Sequence, residues 1–145
     1  MKALGTLLIA FALLATTEPF AQGSRPYKDG PVTQVSFIRV KPGQFDTYMK
    51  YLGGPYRTQM DASQKAGLVI AWKVFAPVDV RTPQDPNVIL TVTYPNMATL
   101  DKTEEFDAVL ANIGTTIEAA NKGFADRGTM REAIGTQLLR EVILK

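Results

Sequence analysis

LVIAWKVFA at residues 68–76 and VILTVTY at residues 88–94 decide the fold. Both are short runs rich in β-branched and aromatic residues. Gly67 precedes the first, Pro77 ends it, and Pro86-Asn87 precedes the second. Runs so bounded read as strands. The segment between them, PVDVRTPQDPN at residues 77–87, is polar and holds three prolines. It reads as a loop, longer than the usual connection of about two to five residues in a hairpin. The two strands are still predicted to pair, because they are consecutive and antiparallel pairing needs no crossover.

Neither strand alternates cleanly between apolar and polar. Leu68, Ile70, Trp72 and Val74 share one side of the first, with Val69, Ala71, Lys73 and Phe75 on the other. In the second, Val88, Leu90, Val92 and Tyr94 oppose Ile89, Thr91 and Thr93. The C-terminal run IGTQLLREVIL at residues 134–144 is a further strand and is also mixed on both sides. An antiparallel sheet with one wet face should show a polar side. Here both faces are substantially apolar. One layer of helices covers only one of them, so a second copy of the sheet is predicted to cover the other. The competing reading is a monomer whose second face is covered by its own leader or long loop.

Upstream, TQVSFIRV at residues 33–40 is the first strand, between Pro31 and Lys41-Pro42-Gly43. Phe45, Tyr48, Met49, Leu52, Tyr56 and Met60 then recur at steps of three or four, giving a helical stripe. Gly53-Gly54-Pro55 interrupts it, which predicts a kink or restart. Gly67 suits a C-terminal cap. After the third strand, Asn96 is a predicted N-cap. Met97, Leu100, Phe106, Val109, Leu110 and Ile113 form a helical face that Gly114 breaks, and Thr115 or Thr116 caps a continuation with Ile117, Ala120 and Phe124. The order is strand, helix, strand, strand, helix, strand. That is the split βαβ, or ferredoxin-like, arrangement of an α+β domain at residues 33–145: a four-stranded antiparallel sheet with helices on one face.

The first residues concern delivery. Met1-Lys2, the uncharged run ALGTLLIAFALLA at residues 3–15, and TTEPFA at residues 16–21 have the layout of a signal peptide cleaved near Ala21. The expected destination is the periplasm or the medium. The apolar run is short for a membrane span, which takes about 20 residues, so no stable span is expected after cleavage. Residues 22–32 (QGSRPYKDGPV) read as a flexible leader.

Composition excludes several chemistries. There is no Cys and no His, and the formal charge is +2. Disulfides, thiolate nucleophiles, His-based acid/base catalysis and the usual zinc, copper and haem ligands are therefore removed. A hard-cation site of carboxylates, hydroxyls and carbonyls would remain open, but no spacing matches a calcium loop. No cofactor and no metal are expected. The small positive excess is dispersed, which argues against a nucleic-acid partner.

The candidate ligand-binding residues lie on the strands. Lys73, Thr91, Thr93, Gln137 and Glu141 dot one mixed face. Trp72, Tyr94 and Arg39 are the alternatives should the faces be reversed, since a slip of one residue exchanges the sets; Arg140 on the last strand is a further ligand-binding candidate. Tyr48, Tyr51 and Tyr56 read as packing and rim residues. Arg127, Arg131 and Arg140 cluster near the end of the last helix and the last strand. They suit a carboxylate or phosphate, or serve as surface charges at a helix C-terminus. No catalytic residue is identified.

VSFIRVKPGQFDTYMKYL, GLVIAWKVF, NVILTVTYPNM and REAIGTQLLREVILK together resemble exported bacterial members of the dimeric α+β barrel superfamily, a group without an assigned function. The resemblance implies a homodimer whose sheets face each other. It bears on fold more than on activity, because the superfamily holds oxygenases, isomerases and haem enzymes. The first expectation is an exported homodimer binding a small, partly apolar ligand between its sheets or under the kinked first helix. The second, implied by the resemblance, is a cofactor-independent monooxygenase acting on a quinol or phenol through Trp72, Tyr94, Lys73 and Arg140. The third is a structural dimerisation module with no pocket.

Overall fold

The computed structural model describes residues 25–145. The signal peptide expected at residues 1–21 lies outside the described residues. Four strands, β1 (Tyr27–Val40), β2 (Ala71–Phe75), β3 (Val88–Tyr94) and β4 (Arg131–Leu144), form one sheet in the order β2-β3-β1-β4. Every neighbouring pair is antiparallel. The helical segments fall between β1 and β2 and between β3 and β4, giving the predicted order.

Three strand boundaries differ from the sequence expectation. β1 starts at Tyr27, not at residue 33, because Tyr27, Lys28 and Asp29 pair with Leu144, Ile143 and Val142. The register shift between Asp29 and Val32 places Gly30-Pro31 in a bulge, where a residue without an N–H costs no ladder bond. That part of the expected leader is strand. β2 starts at Ala71 rather than residue 68. The amides of Leu68 and Val69 both donate to the Ser63 carbonyl, at 3.0 and 3.3 Å, which holds them in the turn after Gly67. Both are buried, so they do not alternate. β4 begins at Arg131 rather than residue 134, with a bulge between the Phe37 and Ile38 pairings.

The first helical arm comprises α1 (Phe45–Tyr51), a π turn (Leu52–Tyr56) and α2 (Arg57–Lys65). Pro55 has no N–H to give the carbonyl of Tyr51, four residues back. The chain widens by one residue instead of breaking, and the Arg57 amide donates to the Leu52 carbonyl, five residues back. Gly67 takes φ +74° and ends the arm. The second arm holds a 3₁₀ turn (Met97–Asp101), α3 (Thr103–Asn112) and α4 (Ile117–Arg127). Asn96 caps the turn by accepting from the Thr99 amide, and Thr116 caps α4 by accepting from the Ala119 amide. Gly114, at φ +73°, separates the two helices.

The core lies between the first arm and the two inner strands: Ile38, Val40, Tyr48, Leu52, Val88 and Leu90. Asn87 locks its lower edge. Its side chain accepts from the Val40 amide at 2.8 Å and donates to the Val40 carbonyl at 3.1 Å, and its own amide donates to the Ile38 carbonyl at 3.0 Å. The side chain thus extends the β1–β3 ladder by one rung beyond the last strand residue.

Candidate functional site

The register sorts the strand candidates onto two faces. Trp72, Val92 and Gln34 are in line, as are Tyr94, Val32 and Arg140. These side chains face the helices. Trp72 donates from Nε1 to Asp61 Oδ1 on α2 at 3.2 Å and meets the Tyr56 ring edge-on at 5.8 Å. Tyr94 meets Phe106 edge-on at 6.4 Å. Arg140 is paired with Asp29 at 3.0 Å. Trp72, Tyr94 and Arg140 are therefore engaged separately and do not converge on one point.

The opposite face carries no helix. One row across it is Phe75, Ile89, Phe37 and Gly135. The next row on that face is Lys73, Thr91, Val35 and Gln137, and the one after is Ala71, Thr93, Thr33 and Leu139. Thr33 and Thr93 share a hydroxyl–hydroxyl hydrogen bond of 3.0 Å. Lys73, Thr91 and Gln137 are thus brought into one line, with Thr93 beside it. Glu141 sits further along β4, against the bulge at Gly30. The sheet face is open and shallow rather than concave. Phe75 is 47% exposed and Leu139 51%.

One concave feature lies on the helix side. The π turn, α3 and α4 enclose a cleft of about 480 Å³. Tyr51, Pro55 and Gln59 contribute one wall at a constant spacing of four, Leu110 and Ile113 a second, and Ala120, Phe124 and Arg127 the third. The cleft exists because α4 stands off the core. No residue of α4 is buried, and its apolar stripe is left uncovered, with Ile117 at 54% and Phe124 at 63% exposure. Arg127 spans the gap, its guanidinium 5.0 Å from the Tyr51 ring centroid and 5.3 Å from that of Phe124. Arg131 lies behind, 5.7 Å from the Tyr48 ring and 5.9 Å from Phe124. An aromatic series runs inward from the wall: Tyr48 to Tyr51 at 5.9 Å, Tyr51 to Tyr56 at 6.4 Å, and Tyr56 to Trp72.

Burial pushes the phenols of Tyr48, Tyr56 and Tyr94 above the ordinary 10.0. For Tyr48 the nearby guanidiniums of Arg131 and Arg127 oppose that rise without cancelling it. These hydroxyls stay protonated across the neutral range. The pH consequence has a definite sign. Below pH 10 the phenols are neutral in both the folded and the unfolded chain, and the full stability is present. Above it the unfolded chain ionises while the buried phenols do not, so stability falls by up to about 1.4 kcal/mol per pH unit for each. Denaturant midpoints measured from pH 8 to 11 should be flat and then drop. The phenolate absorbance of these tyrosines should emerge with unfolding rather than before it.

The sequence singled out the strand residues and gave the cleft only as an alternative place, under the kinked first helix. Its clearest signals were LGGPY at residues 52–56 and the cluster of Arg127 and Arg131. No group of three acidic, His or Cys side chains that could hold a metal ion occurs among the described residues. No helix among them is long and apolar enough to cross a membrane.

No family model matches the chain, and no curated protein sequence does. Solved structures do. HapK from Hahella chejuensis is similar at 18% identity, over 76% of this chain and 91% of that one, with a TM-score of 0.50. The chain has the ferredoxin-like fold. Two further structures are similar at lower scores. One is a provisionally named monooxygenase from Shewanella loihica PV-4, at 14% identity, 79% and 96% coverage and TM-score 0.48. The other is a dimeric ferredoxin-like protein from an uncultured marine organism, at 9% identity, 81% and 90% coverage and TM-score 0.49. At such identities a ferredoxin-like likeness speaks to architecture alone.

Proposed function

We propose that this protein is an exported homodimer that binds a small, partly apolar molecule, and that the molecule occupies the helix-side cleft. The open sheet face, with Lys73, Thr91, Thr93, Gln137 and Glu141, then serves as the seam between two copies. The observation that supports the assignment is the stand-off of α4. An amphipathic helix ordinarily buries its apolar stripe, and here Ala120 and Phe124 of α4 instead line an open cleft together with Leu110 and Ile113. Its volume is in the range of about 300–1,000 Å³ typical of small-molecule sites. It combines an apolar lining with a few polar groups, Gln59 and Arg127 among them.

A ligand that binds the folded chain and not the unfolded one raises the melting temperature with the logarithm of its excess over Kd. A panel of mono- and bicyclic aromatic compounds should include members that stabilise the wild type. Ala120→Trp fills the cleft from α4 and should abolish that stabilisation without unfolding the protein, since α4 has no buried residue. A panel that stabilises nothing, or that stabilises Ala120→Trp equally, would contradict the site.

A second reading is cofactor-independent oxygenation of a phenolic substrate. The aromatic series from Tyr51 to Trp72 supports it, because Tyr51 at the cleft wall would pack on a phenolic ring and the Arg127 guanidinium beside it would stabilise the phenolate. Oxygen uptake with a panel of hydroquinones tests it. No uptake above the buffer rate ends this reading and leaves the binding one standing.

A further inference from the structure

We propose that the cleft selects planar aromatic carboxylates, with Arg127 and Arg131 holding the carboxylate and Tyr51 and Phe124 flanking the ring. The proposal rests on the cleft being the ligand site and adds the charge and shape of what enters it.

Charge is the first argument. The ion pairs among the described residues engage Arg39, Arg57, Arg81, Arg140 and Lys122. Neither Arg127 nor Arg131 is in one. The carboxylate at the cleft, Asp126, is held by Lys122 at 2.9 Å on the same helix. One guanidinium, Arg127, therefore lines the cleft with no counter-charge of its own, and a second, Arg131, stands behind it against the Phe124 ring. The Nε of Arg131 is buried and has no hydrogen-bond partner. A buried charged donor without an acceptor is costly, and an anion drawn to the neighbouring Arg127 offsets part of that cost.

Geometry is the second. Each guanidinium is placed by rings rather than by carboxylates, Arg127 by Tyr51 and Phe124, Arg131 by Tyr48 and Phe124. Packing against rings satisfies the π faces of the cation and leaves its N–H groups at the periphery. Those N–H groups form the fork that matches a carboxylate. Phe124 is common to both arginines and is 63% exposed, so it offers a free aromatic surface beside the cationic pair. A ligand with a flat ring next to its carboxylate meets both features at once. A compact anion such as acetate meets only one.

The test is calorimetric titration of the full chain with 2-naphthoate, 2-naphthylmethanol and acetate at low ionic strength. The expected order is naphthoate at least tenfold tighter than the alcohol, with acetate weaker than both. Arg127→Gln and Arg131→Gln should each reduce the naphthoate preference by about tenfold, a loss of roughly 1.4 kcal/mol. The ratio of naphthoate to alcohol affinity is the readout, and it should fall towards one. Arg127 lies in the cleft and on an unburied helix, so its variant keeps the test informative should Arg131→Gln lose stability. Equal affinity for naphthoate and the alcohol would overturn the anion selectivity while leaving the cleft assignment intact. Naphthoate preference surviving both substitutions would overturn the arginine assignment. Acetate binding as tightly as naphthoate would overturn the aromatic requirement. Binding of none of the three would overturn the proposal, and an Ala120→Trp variant that still binds naphthoate would overturn the cleft reading itself.

Discussion

Ile89→Glu should yield a monomer, from a wild type expected to sediment as a dimer at micromolar concentration. Ile89 sits between Phe37 and Phe75 in the apolar row of the uncovered sheet face. Burying each of these side chains against a second copy contributes about 1.5–3 kcal/mol, and a two-fold interface counts every one twice. Association itself costs roughly 4–15 kcal/mol, so the dimer depends on most of this row being covered. A carboxylate at its centre removes two apolar contacts and buries two unpaired charges, at a penalty of several kcal/mol each. The dissociation constant should rise by at least about a thousandfold, equivalent to some 4 kcal/mol. The helix-side core does not use Ile89, so circular dichroism should show the same secondary structure in the monomer. A monomeric wild type, or a dimeric Ile89→Glu protein, would refute the seam. The long edge strand β4 points the same way. It exposes Leu138 and Leu139 on opposite faces, at 50% and 51%, and uncovered apolar edge strands invite aggregation.

Tyr48→Ala should destabilise the fold by about 3–5 kcal/mol, the range for an aromatic removed from a packed interior. Tyr48 is 1% exposed, the largest of the fully buried side chains. It touches the inner strands through the core cluster, stacks on Tyr51, and backs Arg131. Its loss therefore opens a cavity and removes the packing behind Tyr51 and Arg131 together. For a domain with a total stability of about 5–15 kcal/mol, much of the population could unfold. Trp72 is the single tryptophan and is packed on Tyr56 and Asp61, so its fluorescence reports the denaturant midpoint of the same layer. Tyr48→Phe keeps the ring and should cost far less. A Tyr48→Ala midpoint equivalent to under 1 kcal/mol of loss would mean that the helix layer does not depend on this residue.

The strand candidates show what a sequence can carry. Period-two alternation placed Lys73 with Thr91 and Thr93 because pairing partners on one face share a parity, and the register keeps them together. Which face met the helices was not legible, since both are apolar. It is the contacts of Trp72 with Asp61 and Tyr56 that decide it. The strand starts were misread for local reasons. Gly30-Pro31 looks like loop chemistry, yet a bulge tolerates it inside β1. Leu68 and Val69 look like strand, yet their amides are spent on Ser63. The caps at Asn96 and Thr116 and the break at Gly114 were readable because each rests on a neighbouring residue alone. The cleft was not, because it depends on where α4 stops short of the sheet, and its stripe of Ile117, Ala120 and Phe124 predicts burial. LGGPY marked the place by forbidding an ordinary helical turn, and Arg127 with Arg131 marked its charge.

Amide chemical shifts recorded during titration with 2-naphthoate test the central claim most directly. Perturbations confined to Gly54, Gln59, Ala120, Gly123 and Arg127, saturating with one molecule per chain, are the predicted result. Perturbations centred on Lys73, Thr91 and Gln137, or none at any residue up to millimolar ligand, would contradict it.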